Sequence, residues 1–291
     1  MASDEQPSVV IRRATPDDSR TCGQICYEAF SAINAAHGFP SDFPSPEAPI
    51  GLLTMMFSSP SFYCVVAEWE GRIVGSNCMF EHSAIRGVGP ITIDLKVQNL
   101  GIGRKLMQAV LDRARESGAS GVRLVQATFH GRSLSLYTSL GFDTRELLAC
   151  LQGKTRARSM PGCTVRSAKA EDVDACSGLS RQIHGFDRAL ELIEGIEHGT
   201  ALVVERGGRI TGYTTHLALF GHATAETNVD MEALLCSVDE FGGPGILVPT
   251  RNTTLFRWCL ANGLRVVQPM TLMSAGLYQE PAGAWLPSVL F

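Results

Sequence analysis

Between Gln98 and Arg104 the chain reads Gln-Asn-Leu-Gly-Ile-Gly-Arg, a glycine turn set between two segments of different period. Before it, Ile91, Ile93, Leu95 and Val97 alternate with Thr92, Asp94 and Lys96, the period of a strand. After it, Ile102, Leu106, Val110 and Ala114 fall at helical spacing, joined by Met107 and Leu111, and Gly118 ends the helix. A turn of this kind aims several backbone N–H groups and the positive end of the helix dipole at one spot, which suits an anion such as a phosphate. Gly101 and Gly103 lack a Cβ, so a diphosphate can approach the backbone, and Arg104 adds a cation beside it. A dinucleotide-binding Gly-x-Gly-x-x-Gly is excluded because its third glycine falls on Leu106. The Gly-Lys-Ser/Thr of a P-loop is absent.

Gln98-x-x-Gly101-x-Gly103 resembles the acetyl-CoA pyrophosphate loop of the GNAT N-acetyltransferase superfamily, Gln/Arg-x-x-Gly-x-Gly/Ala. Ile93-Asp94-Leu95-Lys96-Val97-Gln98 is similar to that family's Val-Asp-Pro-x-x-Gln, with Leu95 in place of proline. Leu136-Tyr137 and Leu140-Gly141-Phe142 resemble its Leu-Tyr followed by Leu-Gly-Phe. The likeness covers about residues 8–150. It implies acetyl-CoA as co-substrate, held by Gln98, Asn99, Leu100, Gly101, Ile102, Gly103 and Arg104 at the pyrophosphate. It also implies two parallel strands that splay apart, Gly89–Val97 and Val122–Thr128, with pantetheine amides pairing along Ile91, Thr92, Ile93 and Leu95. The N–H near Ile93 then faces the thioester carbonyl and stabilises an oxyanion.

Attack on a thioester needs a neutral amine, and an amine of pKa about 10 is mostly protonated at pH 7. A carboxylate must take that proton, directly or through water. The candidates are Glu81, at the end of the strand after a hairpin turn, and Asp94, with His82 third. Each can equally be a surface group. Tyr137 matches the family's proton donor to the leaving thiolate, although it also reads as a half-buried helix aromatic with a polar tip. His130 stands where the family usually has Asn, from where it can hydrogen-bond a pantetheine carbonyl, and Ser133 stands at a small-residue position. The acceptor would be a primary amine of a small molecule or peptide, acetylated by direct attack. The alternative is a non-catalytic acyl-CoA-binding sensor or regulatory module.

The elements that must position these residues occur twice. Ile11–Asp18 reappears as Val165–Asp172, Val65–Gly75 as Leu202–Gly212, and His130–Phe142 as Asn252–Leu264. The three segments read as a strand entering an acidic helix start, a β-hairpin, and a helix with a C-terminal glycine leading into a strand. The fold class is therefore α+β: two tandem domains, each a mixed, mostly antiparallel sheet flanked by helices. We expect a catalytic domain over 8–152, a linker over 153–162, a degenerate second domain over 163–280 and an apolar tail over 281–291. Glu226–Gly245 carries no Gln-x-x-Gly-x-Gly, so the second copy is not expected to hold pyrophosphate. Cys259, at the place of Tyr137, reads as a small buried residue.

Apolar residues at 45% and charged residues at 19% describe a globular chain and exclude disorder or coiled coil as the main state. A net charge of −4, divided evenly between the halves, argues against a nucleic-acid partner. The longest uncharged stretches fall short of the about 18 apolar residues that span a membrane. Nine cysteines without a CxxC pair, behind an acidic N-terminus, point to reduced core thiols in a cytoplasmic protein with no metal site. Ile33–Pro60, with Phe39, Phe43, Met55, Met56 and Phe57, either walls the acceptor site or packs as core. The tail Trp285–Phe291 is expected to dock on a domain or on a second copy in a homodimer.

Overall fold

A computed structural model describes residues 9–156 and 159–290. The chain forms two compact units. The first runs through Arg123 and includes His130–Gly141; the second takes Leu124–Phe129 and everything from Phe142 onward. Two residues of the expected 153–162 linker, 157 and 158, lie outside the described residues.

The first unit follows the chain as β1 (Val10–Arg13), α1 (Ser19–Ala36), α2 (Glu47–Ser58), β2 (Phe62–Trp69), β3 (Arg72–Phe80), β4 (Ile85–Ile93) and α3 (Ile102–Glu116), then the start of β5 (Gly121–Ala127) and α4 (Gly131–Ser139). Its sheet runs β1-β2-β3-β4-β5. The first three pairings are antiparallel, and β4 with β5 is parallel. The apolar stripe read on α3 is the buried one: Ile102, Leu106, Met107, Val110, Leu111 and Ala114 all face inward. One strand boundary differs from the sequence reading. Alternation through Val97 suggested a strand over Gly89–Val97, but β4 begins at Ile85 and ends at Ile93. The Asp94 carboxylate accepts the Lys96 N–H at 2.9 Å and turns Leu95–Val97 into a single 3-10 turn. A short polar side chain here outcompetes the ladder for a backbone donor.

The second unit contains β6 (Asp143–Gln152), β7 (Cys163–Ser167), α5 (Val173–His184), α6 (Ala189–Glu197), β8 (Leu202–Arg206), β9 (Arg209–Thr214), β10 (Ala223–Ala225), α7 (Asn228–Cys236), β11 (Ile246–Pro249), α8 (Thr253–Ala261), β12 (Arg265–Gly276) and β13 (Ala284–Leu286). One sheet runs β13-β10-β9-β8-β7, and β6 lies antiparallel between β12 and β11 in the other. Leu151, Val204, Leu217, Met231, Leu234, Val248 and Leu255 share one apolar core.

The repeat extends to side chains. In the first copy Arg12 bonds Asp18 at 2.8 and 2.9 Å and Glu68 at 2.8 Å. In the second, Arg166 bonds Asp172 at 2.7 and 2.8 Å and Glu205 at 2.9 Å. Each aspartate also accepts the N–H of the residue three before it, from Thr15 or Lys169, at 2.8 Å. The same triad thus ties the first strand and first helix of each copy to the hairpin.

Candidate active site

The glycine turn is built by two left-handed residues, Asn99 (φ 69°) and Gly101 (φ 78°). Asn tolerates that region because its short side chain bonds locally. Gly101 and Gly103 are glycines for different reasons. A Cβ on Gly101 would meet nothing within 4 Å, so conformation alone requires glycine there. A Cβ on Gly103 would come within 3.3 Å of Ile93 Cδ1 and 3.4 Å of Leu136 Cδ2, so that position needs space. Gln98 donates from Nε2 to the Ile93 carbonyl at 3.4 Å and links the turn to the end of β4. The first hydrogen bond of α3 is Lys105 N–H to Gly101 C=O at 3.2 Å. Among the described residues, none supplies a carbonyl to the N–H groups of Ile102, Gly103 and Arg104. These N–H groups belong to the segment that the sequence analysis assigns to an anion, and such open donors at a helix start suit one.

Beside the turn, β4 pairs with β5 only at Ile85–Gly87 against Gly121–Arg123. From Val88 onward β4 keeps β3 alone as a strand neighbour within the unit. Asp94 N–H points to Val74 C=O on β3 at 2.8 Å. Alternation along the strand therefore turns the backbone of Ile91 and Ile93 outward, away from β3. Thr92 points its backbone at β3 and buries its side chain. Leu95, in the 3-10 turn, is exposed.

The structure brings α4 against this turn. Leu136 packs at Gly103, and Arg104 donates to Ser139 Oγ at 2.6 Å. Arg104 is exposed, with this bond fixing its direction. Tyr137 is buried on α4. Burial pushes its phenol up to about 12, against a hydrogen bond from Ser133 one helical turn before it. His130 caps α4, its Nδ1 accepting the Ser133 N–H at 3.2 Å. Nδ1 as acceptor leaves the proton on Nε2, a donor. Burial, with Arg132 and His37 nearby, holds the imidazole below its ordinary pKa and favours that neutral form. In the second unit Asn252 caps α8 in the same way, its Oδ1 accepting the Leu255 N–H at 3.2 Å. His130 and Asn are thus equivalent caps.

Glu81 lies elsewhere. Phe80, the residue before it, pairs with Gly87, whereas Gly75 pairs with Ile93 at the other end of β3. Six residues of strand, about 20 Å, separate those two ends. Both Glu81 oxygens take hydrogen bonds from Arg113, each at 2.9 Å. Arg113 holds the carboxyl below the usual range, with Arg86 and Arg13 adding to it against burial. The Arg13 and Arg113 guanidinium groups lie 4.2 and 5.4 Å from the Tyr63 ring centroid. His82 is exposed. Asp94 is the carboxylate that stands at the end of β4. Neither the Arg113 partner of Glu81 nor the Ser139 partner of Arg104 has a sequence signal, since each joins residues more than thirty positions apart.

In the expected acceptor wall, Met56 is core and Met55 is exposed. Phe43 sets its ring edge-on against Phe30 at 5.7 Å. Asn34, buried in α1, donates to Pro40 C=O at 2.9 Å and Asp42 at 3.1 Å and so pins the following loop.

The second unit caps one N–H of the corresponding helix start from a side chain. Thr227 Oγ1 accepts the Asp230 N–H, and the Asp230 carboxylate takes Arg206 at 2.7 and 3.0 Å and Thr211 at 2.7 Å. Asn228 and Asn252 exchange two amide hydrogen bonds, at 3.0 and 2.8 Å, between the starts of α7 and α8. Among the described residues, no cluster of His, Cys, Asp or Glu could hold a metal ion, and no helix is long and apolar enough to cross a membrane.

These features meet known proteins at the same place. Residues 28–142 match the model of the acetyltransferase (GNAT) family. The uncharacterized N-acetyltransferase YjgM of Escherichia coli (strain K12) is 24% identical over 151 residues, covering 47% of this chain and 83% of that one. A Pyrococcus horikoshii protein assigned as an acetyltransferase superposes with a TM-score of 0.72 at 18% identity, over 95% of this chain and 94% of that one. A tandem GNAT protein from the clavulanic acid biosynthesis pathway superposes at 0.57 and 14% identity, over 92% and 98%. The tandem α+β architecture is therefore one that solved GNAT proteins share.

Proposed function

We propose that the first unit transfers an acetyl group from acetyl-CoA to a primary amine by direct attack. The observation that carries this reading is the open start of α3. There, among the described residues, the N–H groups of Ile102, Gly103 and Arg104 have no internal acceptor, and the edge of β4 beside them has no strand partner beyond Gly87 within the unit. The diphosphate of the substrate would lie on those donors, and its pantetheine amides would pair with the outward backbone of Ile91 and Ile93. The Ile93 N–H would then face the oxyanion formed when the amine adds to the thioester carbonyl. As the C–S bond breaks, the departing thiolate takes the Tyr137 proton. Burial keeps that phenol protonated throughout the physiological range. Removal of the amine proton falls to Asp94 and solvent. Glu81 is unsuited because Arg113 occupies both of its oxygens.

Calorimetric titration with CoA and thiol release from acetyl-CoA with a panel of amines, amino acids and peptides test the reading. We expect one CoA site and amine-dependent thiol release. Gly101→Asp, which sets a carboxylate where the diphosphate lies, should abolish CoA binding. Unchanged affinity in that variant overturns the assignment of the loop. Binding without thiol release from any amine leaves the sensor reading in place of the enzyme.

A further inference from the structure

The two repeats place their third and fourth strands in the same register. Gly75 faces Ile93 in the first unit, and its counterpart Gly212 faces Ala225 in the second. Ala223–Ala225 are therefore the counterparts of Ile91–Ile93. Asp94 N–H points to the neighbouring hairpin strand at Val74, and Glu226 N–H does the same at Thr211, at 2.9 Å. Ala223 and Ala225 then turn their backbone groups outward, as Ile91 and Ile93 do.

In the second unit that edge is taken. The C-terminal segment forms β13, antiparallel to β10, with Ala223 opposite Leu286, Thr224 opposite Trp285 and Ala225 opposite Ala284. β13 also lies against β11, the counterpart of β5. It is fastened on both sides, by Ala282 N–H to Ile183 C=O at 2.9 Å and by Val289 N–H to Leu219 C=O at 2.7 Å. Ala284, Trp285, Leu286 and Ser288 are all buried. The Trp285 ring stands edge-on to His184 at 6.0 Å, and His184 Nε2 meets Thr224 Oγ1 at 3.0 Å. β13 follows the last repeated strand and has no counterpart in the first copy. A close approach fits this design: a Cβ on Gly283 would come within 2.7 Å of the Ala225 carbonyl oxygen.

We propose that residues 282–289 are the resident ligand of the second unit's carrier slot, a peptide strand held where the first unit would hold pantetheine. The comparison with pantetheine rests on the function proposed above; the occupancy of the edge does not. The tail adds a strand to an exposed sheet edge, the mode by which extended peptides are commonly bound. With the tail on β10 and Thr227 capping the Asp230 N–H at the start of α7, the second unit takes no acyl-CoA, and the chain has one carrier site.

Two measurements on the full chain test this. In calorimetry, Gly101→Asp should leave no CoA site at all; one remaining equivalent of CoA overturns the proposal. Absence of CoA binding by the unmodified chain would instead refute the reading of the first unit. The second measurement is amide hydrogen exchange, which needs no CoA binding. Ala223 and Ala225 should exchange at least 100-fold more slowly than an unstructured peptide, and saturating CoA should not change this. Trp285→Gly should speed both amides at least tenfold while amides of β2 and β3 stay unchanged. Unprotected Ala223 and Ala225 in the unmodified chain, or their deprotection by CoA, overturn the proposal. Should Trp285→Gly fail to fold, the exchange rates of the unmodified chain decide.

Discussion

Tyr137 and Glu81 looked alike in the sequence as polar candidates for proton transfer, and their surroundings separate them. Tyr137 is buried on α4, and burial holds the proton on its oxygen against the opposing hydrogen bond from Ser133. Tyr137→Phe should lower kcat about 100-fold with little change in KM for acetyl-CoA, read from steady-state thiol release. Equal turnover in the variant removes the tyrosine from the chemistry. Glu81→Gln should leave the pH–rate profile unaltered, because the carboxylate neutralises Arg113 rather than taking a proton from substrate. A shifted profile would return Glu81 to the reaction. The glycine turn could be read in advance because its chemistry is local: donors, dipole and missing Cβ all belong to seven consecutive residues. The Arg113 pair that silences Glu81 is a tertiary contact between β3 and α3 and leaves no trace in spacing.

Among the elements, the helices and hairpins follow their sequence patterns because amphipathic period and turn glycines are local signals. Strand ends follow them less well. The alternation at Ile91–Val97 continues past the last ladder residue, and Asp94 stops the strand by capping Lys96. Helix starts carry the measurable consequences. In the triad at α1, the Arg12 guanidinium holds Asp18 down to about 2, against burial and with Thr15 adding to it. A folded pKa below the unfolded value means that the stabilisation is fully present above the unfolded pKa, near 4. It is lost as pH falls toward 2. At neutral pH it amounts to about 2 kcal/mol at most, reduced by the partial exposure of Arg12. Asp18→Asn should therefore lower denaturant stability at pH 7 and flatten its decline between pH 5 and 2, both seen in urea melts. At α4, His130→Asn should preserve stability, as Asn252 does at the matching cap, whereas His130→Ala should cost about 1 kcal/mol. Equal melting of all three proteins would show that the cap contributes nothing.

For the whole molecule, the repeat was legible but the division of the chain was not. Sequence similarity follows the order of residues, whereas compactness follows who packs with whom. β6 ends the first repeat, yet it lies between β12 and β11 in the second unit. It exchanges hydrogen bonds with β12 over nearly its whole length and with β11 at Leu148–Leu151. A fragment ending at residue 152 keeps β6 and loses both of its neighbours, so we expect it to be insoluble or to associate through that bare strand. A monodisperse, cooperatively melting fragment in gel filtration and circular dichroism would overturn this expectation.

That placement of β6 also bears on how such a gene can change. The second unit is assembled from both duplicated stretches, taking Leu124–Phe129 and Phe142–Gln152 from the earlier one. Deleting the later stretch would strand the ten residues of β6, with apolar Leu147–Leu151 among them, and splitting the gene at its seam would do the same. Absence of the Gln-x-x-Gly-x-Gly turn from the later copy therefore need not lead to loss of that copy, because selection on folding alone is enough to retain it.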